Sequence, residues 1–121
     1  MGLSKKYRRY IKIMKVNLKN NSSISSEKYS VITDFLQFSQ SRSRLKSSID
    51  IVIVDNSQVL NMGNKYFIKT KDIPFNDVIN MLSEIWITEF STQNKIPCSS
   101  KEATLLSQYF FKNNPQYQNL I

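Results

Sequence analysis

The chain has 121 residues, 40 % of them apolar and 12 % aromatic, which suits one domain with a modest core and excludes a disordered segment. It carries a net charge of +8 and no histidine, so the commonest general base and the usual zinc ligand are both missing. A single cysteine, Cys98, excludes an internal disulfide framework and fits a reducing setting, the cytoplasm or an organelle with a reducing interior.

The positive charge sits at the start of the chain. Of the 17 Lys and Arg, seven fall in the first twenty residues, where there is no acid; ten remain against 9 acids over the rest. Residues 1–12 therefore read as a basic arm, and residues 13–121 as a single domain. Lys5, Lys6, Arg8, Arg9 and Lys12 are suited to phosphates through counterion release, and Tyr7 and Tyr10 to stacking on bases. A solvated tail is the other reading of the same arm. No apolar run follows these charges, so a secretory signal is not expected.

Ile11, Ile13, Val16 and Leu18 are the apolar positions of a first strand over residues 11–18. Residues 20–23 form a polar turn cluster. Ser26 offers an N-cap to a helix over residues 27–39, where Tyr29, Ile32, Phe35 and Leu36 keep helical spacing. Residues 39–48 are polar and basic; Arg42, Arg44 and Lys46 are spaced as an RNA-contacting loop or as a solvated connector. The β-branched run over residues 49–54 predicts a central strand buried on both faces.

Asp55 ends that strand. Val59, Met62 and Tyr66 then suit a short helix over residues 57–65, with a hairpin turning at residues 62–64 as its rival. Lys71, Asp72 and Pro74 mark a turn. Val78, Met81, Leu82, Ile85, Trp86 and Phe90 share one helical face, so periodicity predicts a helix from Phe75. That stripe serves either as core or as a docking face. Residues 93–97 form a loop, Ser99 and Glu102 a capping box, and Ala103, Leu106 and Phe110 the last helix, stopped before Pro115. The whole predicts an α+β fold, a small mixed sheet with helices packed on it.

No cofactor or metal is expected. The acids are scattered singly; Asp72 and Asp77 flank one turn, where capping explains them better than a shared cation. No run approaches the roughly 18 apolar residues of a membrane span, so no membrane partner is expected.

The order of a strand ending in Asp55, apolar positions leading to Tyr66, and Lys71-Asp72-Ile73-Pro74 followed by Asp77-Val78-Ile79 resembles the YbeY family, metal-dependent endoribonucleases of ribosomal RNA maturation. The resemblance spans residues 14–80 and implies an α+β scaffold with RNA or a ribosomal subunit as partner. It also places a strand through Asp77, Val78 and Ile79, against the helical period read there. The family arginine that follows the tyrosine is Phe67 here, and the zinc-binding histidine motif is absent. The resemblance thus implies a relative without the metal nuclease site. The opening β-α-β order beside a basic arm is also similar to hibernation-promoting factors, and a small structural or interaction protein with no nucleic-acid role is the third reading. The oligomeric state is not legible.

Overall fold

Apolar and polar residues alternate from Val16 to Lys19, and this period of two produces a strand with one buried face. A computed structural model describes residues 10–56 and 63–120. Four strands form one sheet in the order β1-β2-β3-β4: β1 is Tyr10–Ile13, β2 Val16–Asn21, β3 Ile49–Val54 and β4 Lys65–Lys69. β1 is antiparallel to β2, while β2, β3 and β4 run parallel. Among the described residues three helices, α1 (Ser26–Arg42), α2 (Phe75–Asn94) and α3 (Ser100–Asn113), join the sheet in an α+β fold, and a 3-10 turn (Pro115–Leu120) follows.

The expected first strand is in fact a hairpin. Ile13 pairs with Val16 across a two-residue turn at Met14 and Lys15. Met14 sits at φ 52°, the left-handed value that such turns need and that glycine ordinarily supplies. With no glycine there, the sequence carries no turn signal. β2 then runs on through Asn21, into the expected turn cluster. Tyr10 and Lys12, assigned above to the arm, belong to the edge strand β1.

The N-cap of α1 is Ser25, not Ser26; its Oγ accepts from the Lys28 N–H at 3.2 Å. The helix continues beyond residue 39 because Ser39 and Gln40 are buried and the Arg42 guanidinium lies over the rings of Phe38 (4.8 Å) and Tyr109 (5.6 Å). Arg42 is therefore the last helical residue, not part of the connector.

The short helix expected over residues 57–65 falls largely outside the described residues. Gly63 and Asn64 form a turn, and Tyr66 lies in β4, a strand rather than a helix. Because β4 is parallel to β3, the rival hairpin does not form either. From Phe75 the helical period prevails. Asp77, Val78 and Ile79 are in α2, where the family resemblance placed a strand. α2 extends through Asn94 and ends on Lys95 at φ 57°. At the start of α3 the Ser99 N–H donates to Glu102 Oε1 at 2.9 Å, the reciprocal half of the expected capping box.

Val16, Leu18, Ile49, Ile51, Ile53 and Ile68, alternate residues of three strands, share one core cluster with residues of all three helices. Phe35 of α1, Trp86 of α2 and Phe110 of α3 are its largest fully buried members. Trp86 Nε1–H donates to the Ser43 carbonyl at 2.6 Å, which ties α2 to the end of α1. The helices thus gather on one face of the sheet.

Candidate nucleic-acid interface

The other face is set by strand register. Residues paired side by side point the same way, so three rows cross it. The first is Lys19-Val52-Phe67, the second Lys12-Asn17-Asp50-Lys65, and the third Asn21-Val54-Lys69. Two side-chain contacts agree with this register: Asn17 Nδ2 donates to Asp50 Oδ1 at 2.9 Å, and Lys65 Nζ lies 5.7 Å from the Phe67 ring centre. Val52 is buried at 5 % exposure yet stands outside the core cluster, as a residue of the opposite face should.

Chemically, this face is cationic with an aromatic member. Lys12, Lys19 and Lys65 are exposed, and Lys69 and Phe67 are half-buried. Asp50 is the one acid in the described strands. Such a surface gives a cationic platform about two strand spacings (about 10 Å) wide from Lys19 to Phe67. It attracts phosphates and offers a ring for base stacking.

The residues singled out in the sequence are dispersed over the molecule. Lys5, Lys6, Tyr7, Arg8 and Arg9 lie outside the described residues. Tyr10 pairs with Lys19 towards the carboxyl end of β2, so the chain enters the fold at that end of the sheet. Arg44 and Lys46 lie at the amino ends of the parallel strands, in the connector to β3. There, Gln93 Oε1 accepts from the Lys46 N–H (2.6 Å) and the Ser47 N–H (2.8 Å). Both side chains are exposed. Arm entry and connector are therefore at opposite ends of the sheet, with the cationic face between them.

The family-like turn splits in the same way. Asp55 and Lys71 line a crevice of about 220 Å³ at the carboxyl ends of the parallel strands, together with Ser23, Ser25, Lys28 and Thr70. The Ser23 N–H (2.8 Å) and Oγ–H (2.9 Å) both donate to Asp55 Oδ1. These bonds, the backbone one foremost and aided by the Lys71 charge, hold the Asp55 carboxyl below its ordinary value. Pro74 is the N-cap residue of α2, Asp77 lies in its first turn, and Asp72 sits exposed at φ 60°. Tyr66 is on the helix side of the sheet, where its hydroxyl donates to Glu89 of α2. Desolvation first, then that bond to Glu89, pushes its hydroxyl pKa far up. Among the described residues no three His, Cys, Asp or Glu side chains gather as metal ligands, and no helix is long and apolar enough to cross a membrane.

Sequence reasoning missed Lys19, Lys65, Phe67 and Lys69 as a group. The signal was present as alternation in residues 16–19 and 65–69, but only the strand order shows that their polar sides share a face. Compared with protein-family models, with curated proteins and with solved structures, the chain matches none.

Proposed function

We propose that this chain is a non-catalytic RNA-binding protein that takes a single strand across the face of its sheet opposite the described helices. The observation that carries the reading is that face itself: Lys12, Lys19, Lys65 and Lys69 share with Phe67 the side of the sheet away from the three described helices, Lys65 and Lys69 standing on either side of Phe67 along β4. Cations that track a backbone, with a ring for the bases between them, form the usual platform for single strands. Among the described residues no helix lies on this face to enter a duplex groove. The chain has no histidine to hold a catalytic zinc or to serve as general base. The resemblance to the YbeY family makes ribosomal RNA the first strand to try, but the reading does not depend on that kinship. The cations that precede β1 in the sequence are proposed to add to the hold on the same strand.

The test is affinity for an unstructured RNA measured against salt, for the natural chain and for Lys19→Gln/Lys65→Gln/Lys69→Gln. Each phosphate that is no longer neutralised takes about 0.7 from the slope of log affinity on log salt, so the triple variant is expected to be shallower by about 2. Equal affinity and slope in the two proteins would overturn the reading. The arm is tested by neutralising Lys5, Lys6, Arg8 and Arg9 in the full chain. Starting the chain at Met14 would delete β1 and confuse binding with folding.

A further inference from the structure

Asp50 is out of place on a surface built to attract phosphates. It is half-buried in the central strand of the cationic face, between Asn17 and Lys65 in register. Its backbone N–H donates to the Asn64 carbonyl at 2.9 Å, which fixes the strand at that point. Asn17 Nδ2 donates to Oδ1 at 2.9 Å and steadies the carboxylate. An ionised carboxylate has about four acceptor positions. One is used by Asn17, and no other described side chain bonds the carboxylate, which leaves Oδ2 and a second position on Oδ1 as acceptors for a ligand. Phe67 lies one row away on the neighbouring strand, a diagonal of about 7–8 Å, which is the scale of a purine.

From this geometry we infer that the face discriminates among bases and prefers guanine, with Asp50 as the specificity-determining residue. The inference rests on the reading of the face as a single-strand platform. A base stacked on Phe67 directs one edge at Asp50. The carboxylate only accepts hydrogen bonds, so it selects an edge with two adjacent donors. The Watson–Crick edge of guanine offers such a pair in N1–H and N2–H. Adenine and cytosine present an acceptor nitrogen beside their single amine, and uracil flanks its one N–H with two carbonyls. For those bases a carbonyl or ring nitrogen would face a carboxylate oxygen, which is repulsive. Lys65 and Lys12 in the same row hold the flanking phosphates, so the acid does not expel the strand.

The experiment measures binding of the full chain to nine-residue oligouridylates with one central position changed to G, A, C or inosine, which keeps N1–H but lacks the N2 amine. Guanine is expected to bind roughly tenfold tighter than uracil, with inosine between them. Asp50→Asn is expected to remove this preference while binding the all-uridine strand at least as well, because a negative charge is lost. Phe67→Ala is expected to weaken every oligomer alike. Equal affinity for all five strands by the natural chain overturns guanine selection and leaves the platform reading standing. No binding to any strand overturns the platform reading itself. A guanine preference that survives in Asp50→Asn shows that another residue selects the base. If Asp50→Asn only loses thermal stability and the natural chain shows no base preference, Asp50 serves as the cross-strand counter-ion of Lys65. The inosine step needs no variant and tests the same two-donor contact should Asp50→Asn fail to fold.

Discussion

The two faces of the sheet are built from the same strands and follow opposite rules. In β3, Ile49, Ile51 and Ile53 turn to the helices and are fully buried, while Asp50 and Val54 turn away and remain half-buried. In β4, Tyr66 and Ile68 turn inward, and Lys65, Phe67 and Lys69 turn outward. One step of register along a strand thus separates a position held by packing from one free to meet a partner. Stability is therefore expected to depend on one face and binding on the other, and the two can be separated by substitutions at adjacent residues.

The largest expected effect is on the helix face. Ile51→Ala removes a fully buried side chain at the centre of the sheet and should cost roughly 2–5 kcal/mol, a large part of the stability of a small domain. Chemical denaturation measures it. A loss below about 1 kcal/mol would show that residue 51 can relax around the cavity, and would blur the division between faces. Any RNA binding by the variant, measured well below its melting transition, should be unchanged.

Phe67→Ala is the converse change. Removal of a stacking ring should weaken single-strand binding by roughly 1–3 kcal/mol, with a smaller effect on unfolding because the ring is only half-buried. If unfolding is affected more than binding, Phe67 belongs to the shield over Val52 and not to the interface.

Tyr66, one residue before Phe67, has the opposite role. Its hydroxyl donates to Glu89 and its pKa is raised, first by desolvation and then by that carboxylate. A hydrogen bond to a charged group lying partly in solvent contributes roughly 1–2 kcal/mol, which Tyr66→Phe should remove near neutral pH. The raised pKa fixes the sign of the pH effect. The contribution is complete below the unfolded tyrosine value of 10.0 and declines as pH rises towards the folded value. The difference between natural chain and variant should therefore shrink above pH 10.0. A difference constant across that range would show that the hydroxyl ionises alike in both states.

Much of this division was legible in the residues. The stripe of α2 from Val78 to Phe90 and the capping box at Ser99 rest on local chemistry that tertiary structure did not override, while the β-branched run of β3 gave the central strand but not its outer face, where Asp50 and Val54 are half-buried rather than buried. What was not legible depends on strand order. Lys19 and Lys69 are fifty residues apart in sequence, and only the pairing of β2, β3 and β4 sets them on one surface. Charge density points to the arm and to Arg42, Arg44 and Lys46, yet Arg42 spends its guanidinium on Phe38 and Tyr109. The β1-β2 turn was hidden for another reason: its left-handed position holds a methionine.

That methionine gives the smallest expected effect and a control for the others. Met14 joins β1 to β2, is 62 % exposed and packs in neither face. Its φ of 52° costs an L-residue roughly 1–2 kcal/mol, whereas glycine adopts it without strain. Glycine adds back roughly 0.5–1 kcal/mol of chain entropy in the unfolded state. Met14→Gly should therefore stabilise the protein by about 0.5–1 kcal/mol on balance, since so exposed a side chain buries little apolar surface. Thermal or chemical unfolding reads the change, and the affinity and salt slope for RNA should stay as they were. A destabilised variant would mean that Met14 contributes packing its exposure conceals. A stabilised variant with altered binding would mean that the hairpin, not only the lysines of the central strands, sets the shape of the cationic face.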